Sequence, residues 1–476
     1  MKEKSEPAQP FFILLIVVLL LVFISLFNVK FDLFGYKTKK VDFFSDILLQ
    51  GAVKHVPLPH PIISDSILAK YNKNFAFGKT ESTDIVDFVS DTSSALAHFL
   101  QALKASEEHK HKTRIAYFGD SMIEGDLITQ DLRSYMQDRF GGNGVGFVPV
   151  TSIVSGFRTS IKHSFSGWTT YNLLGQVPPK LSLGISGYGF SPDTVEMIDT
   201  TSSSNTWVKY NAINKSHLNK FYEMKLLYGK SDGKNNVIIN GRKYRLTGTE
   251  NVNQLFLDAC KDSSCINAQF QCTSPIDIFE FSFESSYGVF VDNFSFRGNS
   301  GLPISKVSKE IYSGTHQCLK YDLIILGYGV NALSPNMTSF AWYEHGMNNV
   351  IKHIKESFPN TSILLISVGD KSYKKDGVFQ TDPSVLLMVE AQKRLAKKNQ
   401  LAFWNLYEAM GGNGSMVKWV EGDTVYANKD YTHFNFRGAH RIGKMLYDQL
   451  VNEYKNYYSR PTTVTSTTQV IQQQLK

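Results

Sequence analysis

A strand–turn–helix rhythm stops near residue 150 and resumes near residue 295, and this interruption restricts the available folds more than any other feature of the chain. Before the break, Arg114-Ile115-Ala116-Tyr117-Phe118 reads as a short strand with Gly119-Asp120-Ser121 at its carboxyl end. Ile128, Leu132, Tyr135, Met136 and Phe140 then recur at helical spacing. After the break, Tyr321–Leu326 and Ser362–Val368 read as strands, with Gly327-Tyr328-Gly329-Val330-Asn331 and Gly369-Asp370 at their ends. A helix over Val385–Lys397, a strand at Leu401–Leu406 and a last helix through Ile442, Met445, Leu446 and Leu450 follow. Between these regions the period drops to two, as in Phe279, Phe281 and Phe283 alternating with Glu280, Ser282 and Glu284, the signature of a half-buried strand. Asn240-Gly241 between two apolar runs predicts a hairpin. The expected architecture is an α/β domain with an inserted all-β sandwich.

The amino-terminal region adds a different constraint. Phe11 to Phe27 is an almost unbroken apolar run, and no charge falls between Glu6 and Lys30. A membrane-spanning helix needs roughly 17–25 such residues, and Leu26-Phe27-Asn28-Val29 lacks the small residues of a signal-peptide cleavage site. The run is therefore read as an uncleaved anchor over 11–28, although flanking lysines on both sides give no clear orientation. Pro57, Pro59 and Pro61 mark a connector, and Asp84 to Lys104 carries a helical period. Domain bounds follow as a connector with one helix over 29–109, an α/β domain over 110–150 and 295–458, a β-sandwich over 151–294, and a polar tail over 459–476 expected to be disordered.

Four cysteines, Cys260, Cys265, Cys272 and Cys318, lack zinc-site spacing; downstream of an export signal they suggest one or two disulfides, with four free thiols as the alternative. The expected location is a single pass through the cytoplasmic (inner) membrane with the body extracytoplasmic or periplasmic. A net charge of +7 suits an anionic surface, and no basic stripe interleaved with aromatics points to nucleic acid. Glu107-Glu108-His109-Lys110-His111-Lys112 reads as a solvated loop, not a metal site.

Chemistry concentrates in two short motifs. Gly119-Asp120-Ser121 offers a hydroxyl nucleophile, and Asp430-Tyr431-Thr432-His433 offers an imidazole base with a carboxylate to orient it. Taken alone, the first is an ordinary turn and the second a helix cap. Between them stand Asn299-Ser300-Gly301 and Gly329-Val330-Asn331. These four blocks, in this order, resemble the SGNH (GDSL-like) hydrolases. The tract Ala409–Met416 with Trp419, and Gly142–Val148, resemble more narrowly the extracytoplasmic branch of peptidoglycan O-acetylesterases, which carry an inserted carbohydrate-binding-module-like β domain. The resemblance implies a flavodoxin-like three-layer α/β hydrolase domain. It also implies catalytic Ser121, His433 and Asp430, and an oxyanion hole from the Ser121 and Gly301 backbone N–H groups and the Asn331 side chain, without cofactor or metal. Gly298 is the competing glycine in the second block. The Gly141–Gly146 tract follows a helix, not a strand, so it is read as a loop closing over the site instead of a dinucleotide fingerprint. Trp168, Trp207 and Tyr188 of the insertion are read as core residues or sugar-stacking platforms.

The expected function is a membrane-anchored serine esterase that removes O-acetyl groups from a cell-envelope polysaccharide such as peptidoglycan. One alternative is an O-acetyltransferase working with a membrane-bound O-acyltransferase. The other is an inactive polysaccharide-binding protein, against which the intact Ser121, Asp430, His433 and Asn331 argue.

Overall fold

The apolar run at 114–118 lengthens to a strand, Lys112–Gly119, in the computed structural model, which describes residues 32–33, 36–37, 83–89, 94–179, 181–193, 206–258 and 263–459. The chain divides into two units, 1–79 and 80–476. In the first, Asp32–Leu33 pairs antiparallel with Tyr36–Lys37. The expected anchor at 11–28, most of the connector, Cys260 and the tail beyond Ser459 lie outside the described residues. No helix among the described residues is long and apolar enough to cross a membrane.

In the second unit, a six-stranded sheet runs Gly288–Ser295, Lys112–Gly119, Leu323–Gly327, Ser362–Ile366, Ala402–Trp404, Val86–Asp87, with only the last strand antiparallel to its neighbour. Numbered by chain order, the five parallel strands lie 2-1-3-4-5, the flavodoxin-like order. Alternation along each strand sends side chains to two cores. Ala116, Phe118, Ile324, Leu326, Ile363 and Leu365 meet the helices Lys309–Leu319, Ala341–Ser357 and Pro383–Lys398. Ile115, Tyr117, Leu323, Ile325, Leu364 and Ile366 meet Ala97–Glu107, Thr129–Phe140 and Phe436–Ser459 on the other face. Three layers result.

The insertion is a pair of sheets facing each other across a core that includes Leu226, Phe281, Phe283, Val208, Val237 and Phe270. The predicted hairpin joins Ser231–Ile239 to Arg242–Gly248, with Asn240 and Gly241 at φ 48° and 84° as its turn type requires.

Several expectations change. Val86–Asp87 is a strand and the helix begins only at Ala97, so the helical period from Asp84 to Lys104 covers two elements. Gly288–Ser295, expected at the end of the insertion, is a parallel strand of the α/β sheet, while Gly146–Val148 pairs with Ile278–Glu284 of the sandwich. Ile278–Glu284 is buried on both faces, not half-exposed. Its polar face meets the α/β domain, where Arg114 pairs with Glu284 at 2.9 Å and with Asp292 at 2.8 Å, all fully buried. Lys112 also reaches Glu284, at 3.0 Å.

The Gly141–Gly146 tract lies against this junction, at the amino ends of the strands, where Cβ atoms on Gly142 or Gly144 would strike the backbone of Val289 or Phe283. It does not close over the serine. His111 is not a solvated loop residue either, since its Nε2 meets Asp322 at 3.2 Å. Cys265, Cys272 and Cys318 are free thiols, so the expected disulfides do not form among the described residues.

Candidate active site

Carboxyl ends of strands in this topology present loops and helix starts, and ligands bind where the strand order reverses. Two central neighbours, Lys112–Gly119 and Leu323–Gly327, deliver Ser121 and Asn331 to that edge. Ser121 opens a tight turn, Ser121–Asp126, and among the described residues its backbone N–H has no acceptor. The turn is anchored by Asp126, which accepts from Thr129 Oγ1 (2.6 Å) and from Arg133 (2.7 and 2.9 Å). Arg158 from the insertion adds a contact at 3.3 Å. Burial alone would raise the Asp126 pKa, but Arg133 and Arg158 hold it well below the usual carboxylate range. That charge cluster stabilises the positive φ of Asp126 (72°) and Ile128 (65°), conformations unusual for side-chain-bearing residues.

The second motif arrives on the loop before the last helix. His433 Nε2 lies 2.8 Å from Ser121 Oγ, and His433 Nδ1 lies 2.8 Å from Asp430 Oδ2. Asp430 Oδ1 also accepts the backbone N–H groups of Thr432 (3.0 Å) and His433 (2.9 Å). Partial burial pushes the Asp430 pKa up, yet the His433 backbone and ring outweigh it and the net shift is downward, favouring the carboxylate. The capping role falls to Asn435, whose Oδ1 accepts from Gly438 N at 3.0 Å, so Asp430 is free for the imidazole. Asn428 N donates to His433 O at 2.8 Å and closes the loop.

The proposed oxyanion donors divide. Asn331 lines the cavity of about 600 Å³ in front of Ser121 and His433. One of its amide hydrogens goes to Asn299 O at 3.1 Å, leaving the second available. The Gly301 N–H is already donated to Asn299 Oδ1 at 2.8 Å, and the glycine that borders the cavity is Gly298. At Gly301 the φ of 94° and the Tyr328 ring, 2.8 Å from where a Cβ would sit, both exclude a side chain. Asn299, fully buried, therefore organises both neighbours, a role its place in a short polar motif hinted at only by adjacency. Asp120, beside Ser121, is pushed up to about 7 by burial and accepts from Met122 N at 3.0 Å.

Sequence reasoning also missed the walls. Glu124 and Arg297 form an ion pair (Nε–Oε2 3.0 Å) at the rim, and Val154 and Phe157 close one side from the insertion. Glu124 and Val154 also border a cavity of about 470 Å³ lined by Phe165, Trp168 and Tyr188. Of the insertion's aromatics singled out earlier, Trp168 and Tyr188 face this space. The Trp207 backbone carbonyl holds the Trp168 indole N–H at 3.0 Å.

No family model and no curated protein matches this chain. Among solved structures, a peptidoglycan O-acetylesterase superposes with a TM-score of 0.64 at 21% identity, covering 78% of this chain and 99% of its own. A family two carbohydrate esterase from Clostridium thermocellum (11% identity, 56% of this chain, 94% of its own) and a GDSL-like lipase from Parabacteroides merdae (15%, 34% and 72%) each match at a TM-score of 0.27. The fold of this chain is thus that of the first of these.

Proposed function

We propose that this protein is a serine esterase that removes O-acetyl groups from a cell-envelope polysaccharide such as peptidoglycan. The observation that carries the reading is the unbroken chain from Ser121 Oγ through His433 to Asp430, with both links at 2.8 Å, opening on a cavity that Asn331 borders. Ser121 Oγ attacks the acetyl carbonyl carbon while His433 Nε2 takes its proton. Asp430 holds the other ring nitrogen and stabilises the imidazolium. The negative oxygen of the tetrahedral intermediate lies against the unpartnered Ser121 N–H and the second Asn331 amide hydrogen. The Gly301 N–H is held by Asn299 Oδ1 and would have to release it to act as a third donor. Collapse expels the sugar hydroxyl with the proton from His433. Water then repeats the attack on acyl-Ser121 and releases acetate.

A polymer fits the site better than a small ester because the nucleophile's cavity continues past Glu124 and Val154 toward Trp168 and Tyr188. Aromatic faces of this kind stack on sugar rings. The apolar run at 11–27 would hold the enzyme at the membrane beside such a polymer. The test is incubation of the protein with O-acetylated peptidoglycan, with and without an unacetylated oligosaccharide. Free acetate supports the esterase; acetylated oligosaccharide in its place would make the protein a transferase. An unreactive Ser121 toward a serine-directed phosphonate would remove both readings.

A further inference from the structure

The last helix presents a basic edge that the reaction above does not use. Arg437, Arg441 and Lys444 fall on one face of Phe436–Ser459 and are exposed. They border a cavity of about 640 Å³ with Thr424 and Tyr426. A neighbouring cavity of about 380 Å³ shares Arg441, Thr424 and Tyr426 and adds Lys418 and one acid, Asp423. The Arg441 guanidinium lies over the rings of Tyr426, at 4.9 Å, and Trp419, at 5.4 Å. Those rings orient the group without neutralising it.

Pairing separates these arginines from their surroundings. Lys444 is held by Asp448 at 2.7 Å, His440 by Asp131 at 2.9 Å, and exposed Arg297 and Arg394 each meet a glutamate. Among the described residues, neither Arg437 nor Arg441 has a carboxylate partner. A fixed, unpaired guanidinium at a cavity wall matches a planar oxyanion in both charge and hydrogen-bond geometry. The cavity also adjoins the nucleophile: Phe436 borders one space, Phe157 the other, and their rings stand 4.9 Å apart. A chain crossing Ser121 reaches Arg437 over that aromatic pair. Lying beside the cavity of Ser121 across the Phe157–Phe436 pair, this face suits an extended chain that also reaches Ser121.

We propose that the Arg437–Arg441 face binds carboxylate groups of the same polysaccharide strand whose ester is cleaved at Ser121, an inference that rests on the esterase reading. The test uses the full chain carrying Ser121→Ala, which cannot turn substrate over. It is titrated calorimetrically with soluble O-acetylated peptidoglycan fragments, either with free carboxylates or after amidation with methylamine. The free carboxylates are expected to bind about tenfold tighter, and the advantage is expected to vanish when Arg437→Glu is added. Arg441→Gln should act likewise, but its guanidinium packs on two rings, so the exposed Arg437 decides the outcome. Equal affinity for the two fragments, or no binding of either, overturns the inference. So does Arg437-dependent binding to phosphatidylglycerol vesicles without carboxylate preference, which would assign the face to a membrane. None of these outcomes touches the esterase reading, which stands or falls on acetate release by the unmodified protein.

Discussion

An Asp–His group lies near each end of the neighbouring strands Lys112–Gly119 and Leu323–Gly327, and the two groups are built for different ends. At the amino ends, His98 and His111 both turn Nε2 toward Asp322, at 3.0 and 3.2 Å, while Arg114 N donates to the same carboxylate at 2.9 Å. At the carboxyl ends, His433 divides its nitrogens, Nδ1 to Asp430 and Nε2 to Ser121. The first arrangement saturates an acid and ties the Ala97–Glu107 helix to the sheet. The second leaves one ring nitrogen on a hydroxyl that faces a cavity. Residue type is shared; which nitrogen is spent on the carboxylate separates a structural cluster from a candidate catalytic one.

That contrast breaks most sharply at Ser121. Ser121→Ala should lower acetate release by about 10⁴-fold or more while leaving the urea midpoint nearly unchanged; a variant that retains activity would strip the carboxyl-end group of its meaning. The amino-end region should answer the opposite way. Arg114→Met removes the guanidinium shared by buried Glu284 and Asp292, leaving Glu284 to Lys112 and Asp292 to the Tyr321 hydroxyl, and should cost about 3–5 kcal/mol of stability, read by urea denaturation. Asn331→Ala should lower kcat roughly 100–1000-fold with little change in KM, as expected for a donor that matters chiefly in the transition state; equal losses in binding would recast it as a substrate contact.

The smallest effect sharpens the amino-end half. The Asp322 hydrogen bond raises the His98 pKa against the opposing effect of burial. The stabilisation is therefore complete below the unfolded-state value near 6.5 and is lost as pH rises through the higher folded-state value. Between pH 6 and pH 8 the wild-type urea midpoint should fall more than that of His98→Gln. Equal slopes would mean that the contact contributes no linkage.

Much of the candidate site was legible because its parts are local. Gly119-Asp120-Ser121 follows an apolar run directly, and Asp430 and His433 are three residues apart, so one loop brings them together. Asn331 was readable for the same reason, placed by the end of its own strand. Gly301 was only half readable: the motif identifies a glycine needed for close approach, while the occupation of its N–H by Asn299 depends on the turn's actual path. The Gly288–Ser295 strand was assigned to the wrong body because Val289, Phe290 and Val291 look the same whether they pair within a sandwich or with Lys112–Gly119. Pairing partners are a matter of long-range contact, and no period in the chain encodes them.

By itself, then, the sequence determined the alternation of strands and helices, the interruption by a β body, and the order of Ser121, Asn331, Asp430 and His433 along the chain. Hydrophobic period and turn chemistry act over a few residues, and a linear chain displays them in full. Only the tertiary structure decided that the polar face of Ile278–Glu284 is buried against Arg114 and Lys112, and that Asn299 holds both Gly301 and Asn331. It alone set Arg437 and Arg441, without a carboxylate partner among the described residues, beside the cavity of Ser121. Those outcomes depend on which surfaces meet, and burial and charge pairing take their value only once distant segments are brought into contact.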